Sequence, residues 1–360
     1  MISLTAILIM SSIAGVLGVI LAVLDRYLAT YGECQFTIND EEPITVQGGN
    51  TVLQYLIDND IFIPSACGGR ATCGFCKIKI TEGGGLVLPT ELAFLSKDEV
   101  RQQVRLACQV KVKEDIALII PEEFLKVQRF LSIVSTIEDL THDTKRIVLK
   151  LEEPDTIEPK AGQYIQFEVP GTSEYRAYSM SSAPSSLHEV EITVRLVPGG
   201  LCTGYIFKHL QEGEEIYLTG PYGDFFLQEE SDREIICVAG GSGVAPIKSI
   251  ITHMFENNTN RKVSYFFGAR AIKDLYFYEE CLELEKKHKN FRYVPALSDM
   301  DHVDVWDGKT GFIHTVVDEM YENCENMEAY LCGPPVMVDA VTEVLKKKGM
   351  PDEHMFFDKF

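Results

Sequence analysis

Cys67-Gly-Gly-Arg-Ala-Thr-Cys73-Gly-Phe-Cys76 puts three cysteines on one short loop, and a fourth, Cys108, follows in Arg105-Leu-Ala-Cys108-Gln109. The spacing is Cys-x5-Cys-x2-Cys with a distant fourth thiol. An iron–sulfur cluster is held by thiolates, and three on one loop can wrap it while the fourth closes it. Gly68, Gly69 and Gly74 let the loop turn with positive φ and bring backbone N–H groups to sulfur. The competing readings are a four-cysteine zinc site and buried free thiols. Structural zinc comes as two short knuckles, and only Cys73/Cys76 has that spacing. Cys67, Cys73, Cys76 and Cys108 are therefore read as ligands of a 2Fe–2S cluster in a ferredoxin-like β-grasp domain over 33–124. That domain opens on strand-like alternation at Cys34–Ile38, turns at Asn39-Asp40, and carries a short helix pattern at Thr51–Asn59. It closes on Ile116–Ile120, a strand ended by Pro121.

Downstream the pattern changes twice. Residues 127–230 read as short strands separated by Gly/Pro turns: Phe130–Ile137, Lys145–Leu151, Tyr164–Val169, Val190–Val197 and Glu215–Thr219. These suit an antiparallel barrel interrupted by one helix near Thr203–Leu210. From 231 to 360 strands and helices alternate: Ile235–Val238, a helix near Pro246–Phe255, then strands at Lys262–Gly268, Tyr293–Ala296 and Tyr330–Leu331. This alternation predicts a doubly wound parallel sheet.

Each of these segments carries a motif. Arg176-Ala-Tyr178-Ser179 lies on a barrel strand and fits the Arg-x-Tyr-Ser signature of ferredoxin–NADP reductase-type flavoproteins. Arg176 would neutralise flavin phosphate, Tyr178 would lie against the isoalloxazine, and Ser179 would hydrogen-bond near N5, where hydride arrives. Gly199-Gly200-Leu-Cys-Thr203 then opens the helix, whose free N–H groups suit a pyrophosphate. Read alone, a strand Arg and Tyr are surface residues; the order of motifs favours flavin, as FAD. Next, Gly240-Gly241-Ser-Gly243-Val-Ala-Pro246 ends a hydrophobic strand and starts a helix, a turn that a nucleotide diphosphate can approach. It is not the Gly-x-Gly-x-x-Gly fingerprint, and by itself such a turn is structural. Cys332-Gly333-Pro334-Pro335 ends a later strand at the carboxyl edge, where open α/β sheets bind ligands. Cys332 is the candidate to orient the nicotinamide, against the plainer reading of a buried strand cysteine.

The N-terminus differs from all of this. No charge occurs from Leu4 to Leu24, about 30 Å of helix and enough to cross a bilayer core. Met1-Ile2-Ser3 lacks a basic residue and no small-x-small site follows, so residues 1–27 read as a transmembrane anchor rather than a cleaved signal peptide. Cys34, Cys202, Cys237, Cys281 and Cys324 show no paired spacing, which suits a reducing compartment. The soluble domains are thus placed on the cytoplasmic side of a single-pass membrane protein. The formal net charge of −21 over 360 residues argues against a nucleic-acid partner.

With these motifs in order, the chain resembles the F subunit of the sodium-translocating NADH:quinone reductase over nearly its full length. Leu88-Pro-Thr-Glu-Leu92, Arg105–Gln109, Pro121-Glu-Glu, Arg176–Met180, Gly268-Ala-Arg270, Ala296–Asp299, Thr310–His314 and Cys332–Pro335 carry the resemblance. It implies NADH as hydride donor, FAD and the cluster as cofactors, membrane subunits as partners and quinone as final acceptor. It also implies that Phe360 covers the flavin and moves before nicotinamide stacks. NADH is expected over NADPH mainly from this resemblance. Arg270 and Lys273 lie after a strand where a 2′-phosphate could be met and leave NADPH open, against the plainer reading of an exposed pair opposed by Asp274, Glu279 and Glu280. Two departures are a short Pro170–Tyr175 link where that family usually has a long insertion, and the ending Phe357-Asp-Lys-Phe360. The missing insertion leaves sodium coupling open. A reductase feeding an oxygenase, which shares all three domains but lacks the anchor, and a non-catalytic redox sensor are the alternatives.

Overall fold

The computed structural model describes residues 10–20, 31–172, 174–299 and 306–360. The expected anchor over 1–27 falls largely outside them. Its described part, residues 10–20, is helical (α1) with every side chain exposed. Among the described residues no helix is long and apolar enough to cross a membrane.

The chain divides into two compact units, Met1–Lys126 and Val127–Phe360. The first is built on a five-stranded sheet. Its strands are β1 (Glu33–Ile38), β2 (Ile44–Gln47), β3 (Lys77–Glu82), β4 (Val104–Leu106) and β5 (Ile116–Ile119), ordered β2-β1-β5-β3-β4. Strands β1 and β5 run parallel; the other pairs are antiparallel. Helix α2 (Val52–Asp58) begins where Thr51 caps it by accepting from the Gln54 N–H at 3.3 Å. Its Val52, Leu53 and Leu56 join Phe36, Ile78, Leu106 and Leu118 in one core. Two short helices, α3 (Lys97–Arg101) and α4 (Glu122–Leu125), complete the unit.

The second unit holds two six-stranded sheets. In the first are β6 (Gln128–Thr141), β7 (Thr144–Glu153), β8 (Tyr164–Glu168), β9 (Tyr175–Ser179), β10 (Glu189–Arg195) and β11 (Glu215–Tyr222), with α5 (Leu201–Lys208) leaving it after β10. The order β10-β7-β6-β11-β8-β9 is antiparallel throughout. A bridge between Met180 and Ile192 joins its two edges, so the sheet closes on itself. Strand β6 runs well beyond the expected Phe130–Ile137, because register shifts let it bend along β7 past its apolar alternation.

The second sheet contains β12 (Glu234–Gly240), β13 (Val263–Ala269), β14 (Phe291–Leu297), β15 (Lys309–Thr310), β16 (Met327–Gly333) and β17 (Met355–Lys359). It is ordered β15-β14-β13-β12-β16-β17 and wholly parallel. Helices α6 (Val244–Glu256) and α7 (Tyr278–Lys287) follow β12 and β13 in the chain, and α8 (Ile313–Met320) and α9 (Pro335–Lys347) follow β15 and β16. Alternation along β12 sorts Ile235, Cys237 and Ala239 into the core with α6, and Ile236 and Val238 into the core with α8 and α9. Both faces are therefore covered, which explains why β12, β13 and β16 are mostly apolar rather than alternating, with Ser264 and Glu328 as buried polar exceptions.

Candidate functional site

In the first unit the four thiols stand as two facing pairs. Cys67 and Cys73 share a side-chain hydrogen bond, and so do Cys76 and Cys108. Cys73 is the main cause holding Cys67 down to about 4, while Cys73 itself is pushed up by the same bond and by burial. Cys76 likewise holds Cys108 down to about 7 and is pushed up in turn. Backbone N–H groups of Thr72 and Cys73 face the Cys67 sulfur, that of Phe75 faces Cys73, and that of Ala71 faces Cys108. The loop reaches this shape because Gly68, Gly69 and Gly74 take φ of 63°, 81° and 71°. Among the described residues no group of three or more His, Cys, Asp or Glu side chains is placed to hold a single metal ion. Paired thiols with N–H groups at their sulfurs suit a two-iron cluster better than zinc.

A network unseen in the sequence holds this loop. Arg105 donates from Nε to Glu91 Oε1 at 2.9 Å and from Nη2 to Oε2 at 2.6 Å. It also binds the carbonyls of Gly84, Gly85 and Leu86. Glu91 accepts in addition from the N–H groups of Leu106 and Leu88. Burial raises the Glu91 pKa, but these donors outweigh it and hold the carboxyl below its ordinary value. The Ala107 N–H donates to the Cys76 carbonyl at 2.8 Å, so the turn carrying Cys108 is tied to the cysteine loop itself. Glu91 lies in Leu88-Pro-Thr-Glu-Leu92, a motif whose acid, spaced from Arg105 across a loop, was the one available signal.

In the second unit, β9 carries Arg176, Tyr178 and Ser179, all half-buried. The Tyr178 hydroxyl donates to Cys202 Sγ at 3.3 Å, which joins the strand to α5. Burial pushes the Cys202 thiol up to about 11 and raises Tyr178 well above its usual range. Arg176 is engaged by the Glu174 carboxylate and donates to the Tyr175 carbonyl at 2.7 Å, so a phosphate there competes with Glu174. At the start of α5, Gly200 caps without a side chain, and a Cβ on it would press on Thr203 Oγ1 at 2.6 Å. Thr203 Oγ1 in turn bonds the Val197 N–H and carbonyl, each at 3.2 Å. A close backbone cradle with an uncapped helix start fits a flavin diphosphate.

The chain order of the parallel sheet reverses between β12 and β16, the switch point at which open α/β sheets bind ligands. Gly240, Gly241 and Gly243 lie at the carboxyl end of β12, and Cys332, Gly333 and Pro334 at that of β16. A Cβ on Gly243 would collide with the Cys332 carbonyl. Gly243 is therefore needed for close packing of the two strand ends, and Pro246 is buried in the first turn of α6. Cys332 is fully buried, and burial, with Asp358 beside it, pushes its thiol up. The Phe360 N–H donates to the Gly333 carbonyl at 3.3 Å, which sets the half-exposed Phe360 ring at this edge. Strand β17, missed in the sequence, pairs Asp358 with Cys332 in register.

These two parts of the unit meet. Ser181 and Ser182, just past Ser179, contact Glu191 and α6: Ser181 Oγ donates to Glu191 at 2.8 Å, Lys248 Nζ to Glu191 at 2.7 Å, and Ser249 Oγ to the Ser182 carbonyl at 2.7 Å. Arg146 completes the ring around Glu191. The end of the flavin strand is thereby fastened to the helix that begins at the glycine turn.

Such a chain is a flavin- and iron–sulfur-dependent nicotinamide oxidoreductase. Residues 36–113 match the 2Fe-2S iron-sulfur cluster binding domain, 132–227 the oxidoreductase FAD-binding domain and 237–343 the oxidoreductase NAD-binding domain. The F subunit of the Na(+)-translocating NADH-quinone reductase of Psychrobacter cryohalolentis is 35% identical over 399 aligned positions, 97% of this chain and 96% of that one. Its counterpart in Idiomarina loihiensis is 34% identical, over 92% of this chain and 93% of its own. Among solved structures, an Amycolatopsis cytochrome P450 reductase is 28% identical with a TM-score of 0.72, covering 91% of this chain and 98% of that chain. A ferredoxin reductase in carbazole 1,9a-dioxygenase follows at 27% and 0.70, with the same coverage. The chain belongs to the family of Na(+)-translocating NADH-quinone reductase F subunits.

Proposed function

We propose that this chain is the electron-input subunit of a multisubunit NADH:quinone reductase, oxidising NADH and delivering single electrons toward quinone. When bound, FAD takes two electrons as hydride and the cluster carries one at a time. Cys67 with Cys73, and Cys76 with Cys108, would each hold one iron. Arg176, Gly200 and Thr203 would hold the flavin diphosphate, Tyr178 would lie on the isoalloxazine, and Ser179 would hydrogen-bond near the hydride-accepting atom. Gly240, Gly241, Gly243, Pro246, Gly333 and Pro334 would form the nicotinamide nucleotide cradle. Cys332 would orient the nicotinamide and Phe360 would yield its place to it. The reading divides the soluble chain into 33–124, 127–230 and 231–360, one cofactor to each, behind a single-pass anchor at 1–27 with the domains on the cytoplasmic side. Full-length likeness to the F subunit of the sodium-translocating complex favours a membrane complex over an oxygenase as the electron acceptor. The carrying observation is the pair of facing thiol pairs together with the glycine-lined switch point on the same chain.

The test is anaerobic NADH titration of the purified full chain. It should bleach the flavin and raise the EPR signal of a reduced 2Fe–2S cluster. Cys108→Ala should abolish the EPR signal while FAD stays near stoichiometric. Loss of FAD with the cluster overturns the one-cofactor-per-domain reading, and an unbleached wild-type flavin overturns the function.

A further inference from the structure

Arg195 ends β10, paired with Thr144 of β7, and its side chain crosses to the glycine turn after β12. Its Nη1 lies 3.5 Å from where a Cβ on Gly241 would stand. Arg195 Nε donates to Asp143 Oδ2 at 2.9 Å. Asp143 is steadied in turn by the hydroxyls of Thr141 and Thr144 at 2.9 and 3.1 Å. The guanidinium is thus held through Nε, with its Nη1 donor beside the turn. Gly241, at φ 59°, leads into α6, which starts with no acidic side chain and no side-chain cap. A fixed cation beside uncapped helix N–H groups favours an anion.

A second group points the same way. Tyr276 follows β13 and is 7% exposed, yet its hydroxyl has no hydrogen-bond partner among the described residues. Burial is the main cause that raises this hydroxyl's pKa, and the charges of Arg195, Asp143 and Asp274 all reach it. A buried hydroxyl without a partner calls for a ligand atom or a water.

We propose that Arg195 and Tyr276 bind the diphosphate of the nicotinamide nucleotide, closing from the barrel side a subsite whose other wall is the Gly241–Gly243 turn. Asp143 is the positioning residue. The proposal rests on the nicotinamide reading above and adds to it residues from outside the glycine motif.

The experiment measures ADP-ribose binding to the full-length holoprotein by calorimetry, with adenosine as the phosphate-free control. Arg195→Gln should weaken ADP-ribose about tenfold, equivalent to about 1.4 kcal/mol. Tyr276→Phe should weaken it roughly two- to threefold, and adenosine affinity should not change in either. The salt dependence of ADP-ribose binding should flatten in Arg195→Gln. Wild-type ADP-ribose affinity in Arg195→Gln overturns the proposal, and so does an equal loss for adenosine. Should Arg195→Gln shed its flavin, Tyr276→Phe and Asp143→Asn decide: unchanged ADP-ribose affinity in both overturns it. A wild-type chain that neither binds ADP-ribose nor passes hydride from NADH sinks the functional reading instead.

Discussion

Two carboxylates organise this molecule in different ways. Glu91, in the first unit, is matched to one guanidinium, and both side chains are sealed from water at 0% and 5% exposure. Glu191, in the second, is shared by Arg146 and Lys248, which keep 32% and 21% of their side chains in solvent. The first arrangement fixes one loop against one turn and has nowhere to relax. The second joins the barrel to helix α6 through several donors, any one of which can turn to water when the carboxylate is lost. Enclosure, more than the number of partners, decides what each is worth.

The sharpest way to break the comparison is Arg105→Ala. Removing one partner of a sealed ion pair leaves an uncompensated charge, which costs about 3–5 kcal/mol. The loss should appear as a lower melting temperature of the visible CD of the cluster, with the flavin transition unmoved. A coincident fall of both transitions would mean that the two units do not unfold separately. Glu191→Gln should cost less, about 1–3 kcal/mol, because Arg146 and Lys248 keep access to water. It should also slow flavin reduction by NADH in stopped flow, since α6 loses its tie to the strand end at Ser181. An unaltered rate would leave Glu191 a purely structural residue.

Acid comes next, because a protonated glutamate resembles glutamine and its effect is bounded by that substitution. Both carboxyls have folded pKa values below the ordinary 4.5. For Glu91 and Glu191 alike burial is the largest single cause and raises the value, but the surrounding donors, led by Arg105 for Glu91 and Lys248 for Glu191, together more than reverse it. The stability they contribute is thus fully present above about pH 4.5 and lost as pH falls through the depressed folded values. Chemical denaturation between about pH 7 and 3 checks this, and a loss already complete at about pH 5 contradicts the sign. The smallest effect is expected from Tyr178→Phe. It removes one hydrogen bond to Cys202, about 0.5–1.5 kcal/mol, and should shift the flavin spectrum more than the melting temperature.

The contrast also explains what the sequence could reveal. Cys67, Cys73 and Cys76 had to lie close in the chain because one loop must surround the cluster, so their spacing was legible. Gly240–Gly243 was legible for the same reason, as a strand that turns at once into a helix. Partners brought together by tertiary folding leave no local period: Lys248 and Glu191 stand 57 positions apart, and Arg195 meets Gly241 only when the barrel faces the sheet. Strands β15 and β17 escaped notice because each is short and at the sheet edge, where apolar alternation is weak. Helix α6 begins earlier than Pro246 suggested, since a proline in the first turn forfeits no intrahelical bond. The anchor expected from the uncharged run Leu4–Leu24 is described only at residues 10–20, and no helix among the described residues is long and apolar enough to cross a membrane.

The β8–β9 hairpin has a practical consequence. Its turn is short, with Val169 N–H donating to the Glu174 carbonyl at 2.9 Å and the Thr172 N–H to the Val169 carbonyl at 3.1 Å. Gly171, at φ 73°, has nothing within 4 Å of its would-be Cβ. A hairpin tip in open space is a splice port: doubling the length of an inserted loop costs only about 0.6 kcal/mol. A fluorescent reporter placed after Gly171 would ride on the strand that leads to Arg176 and Ser179, turning this chain into its own gauge of flavin occupancy.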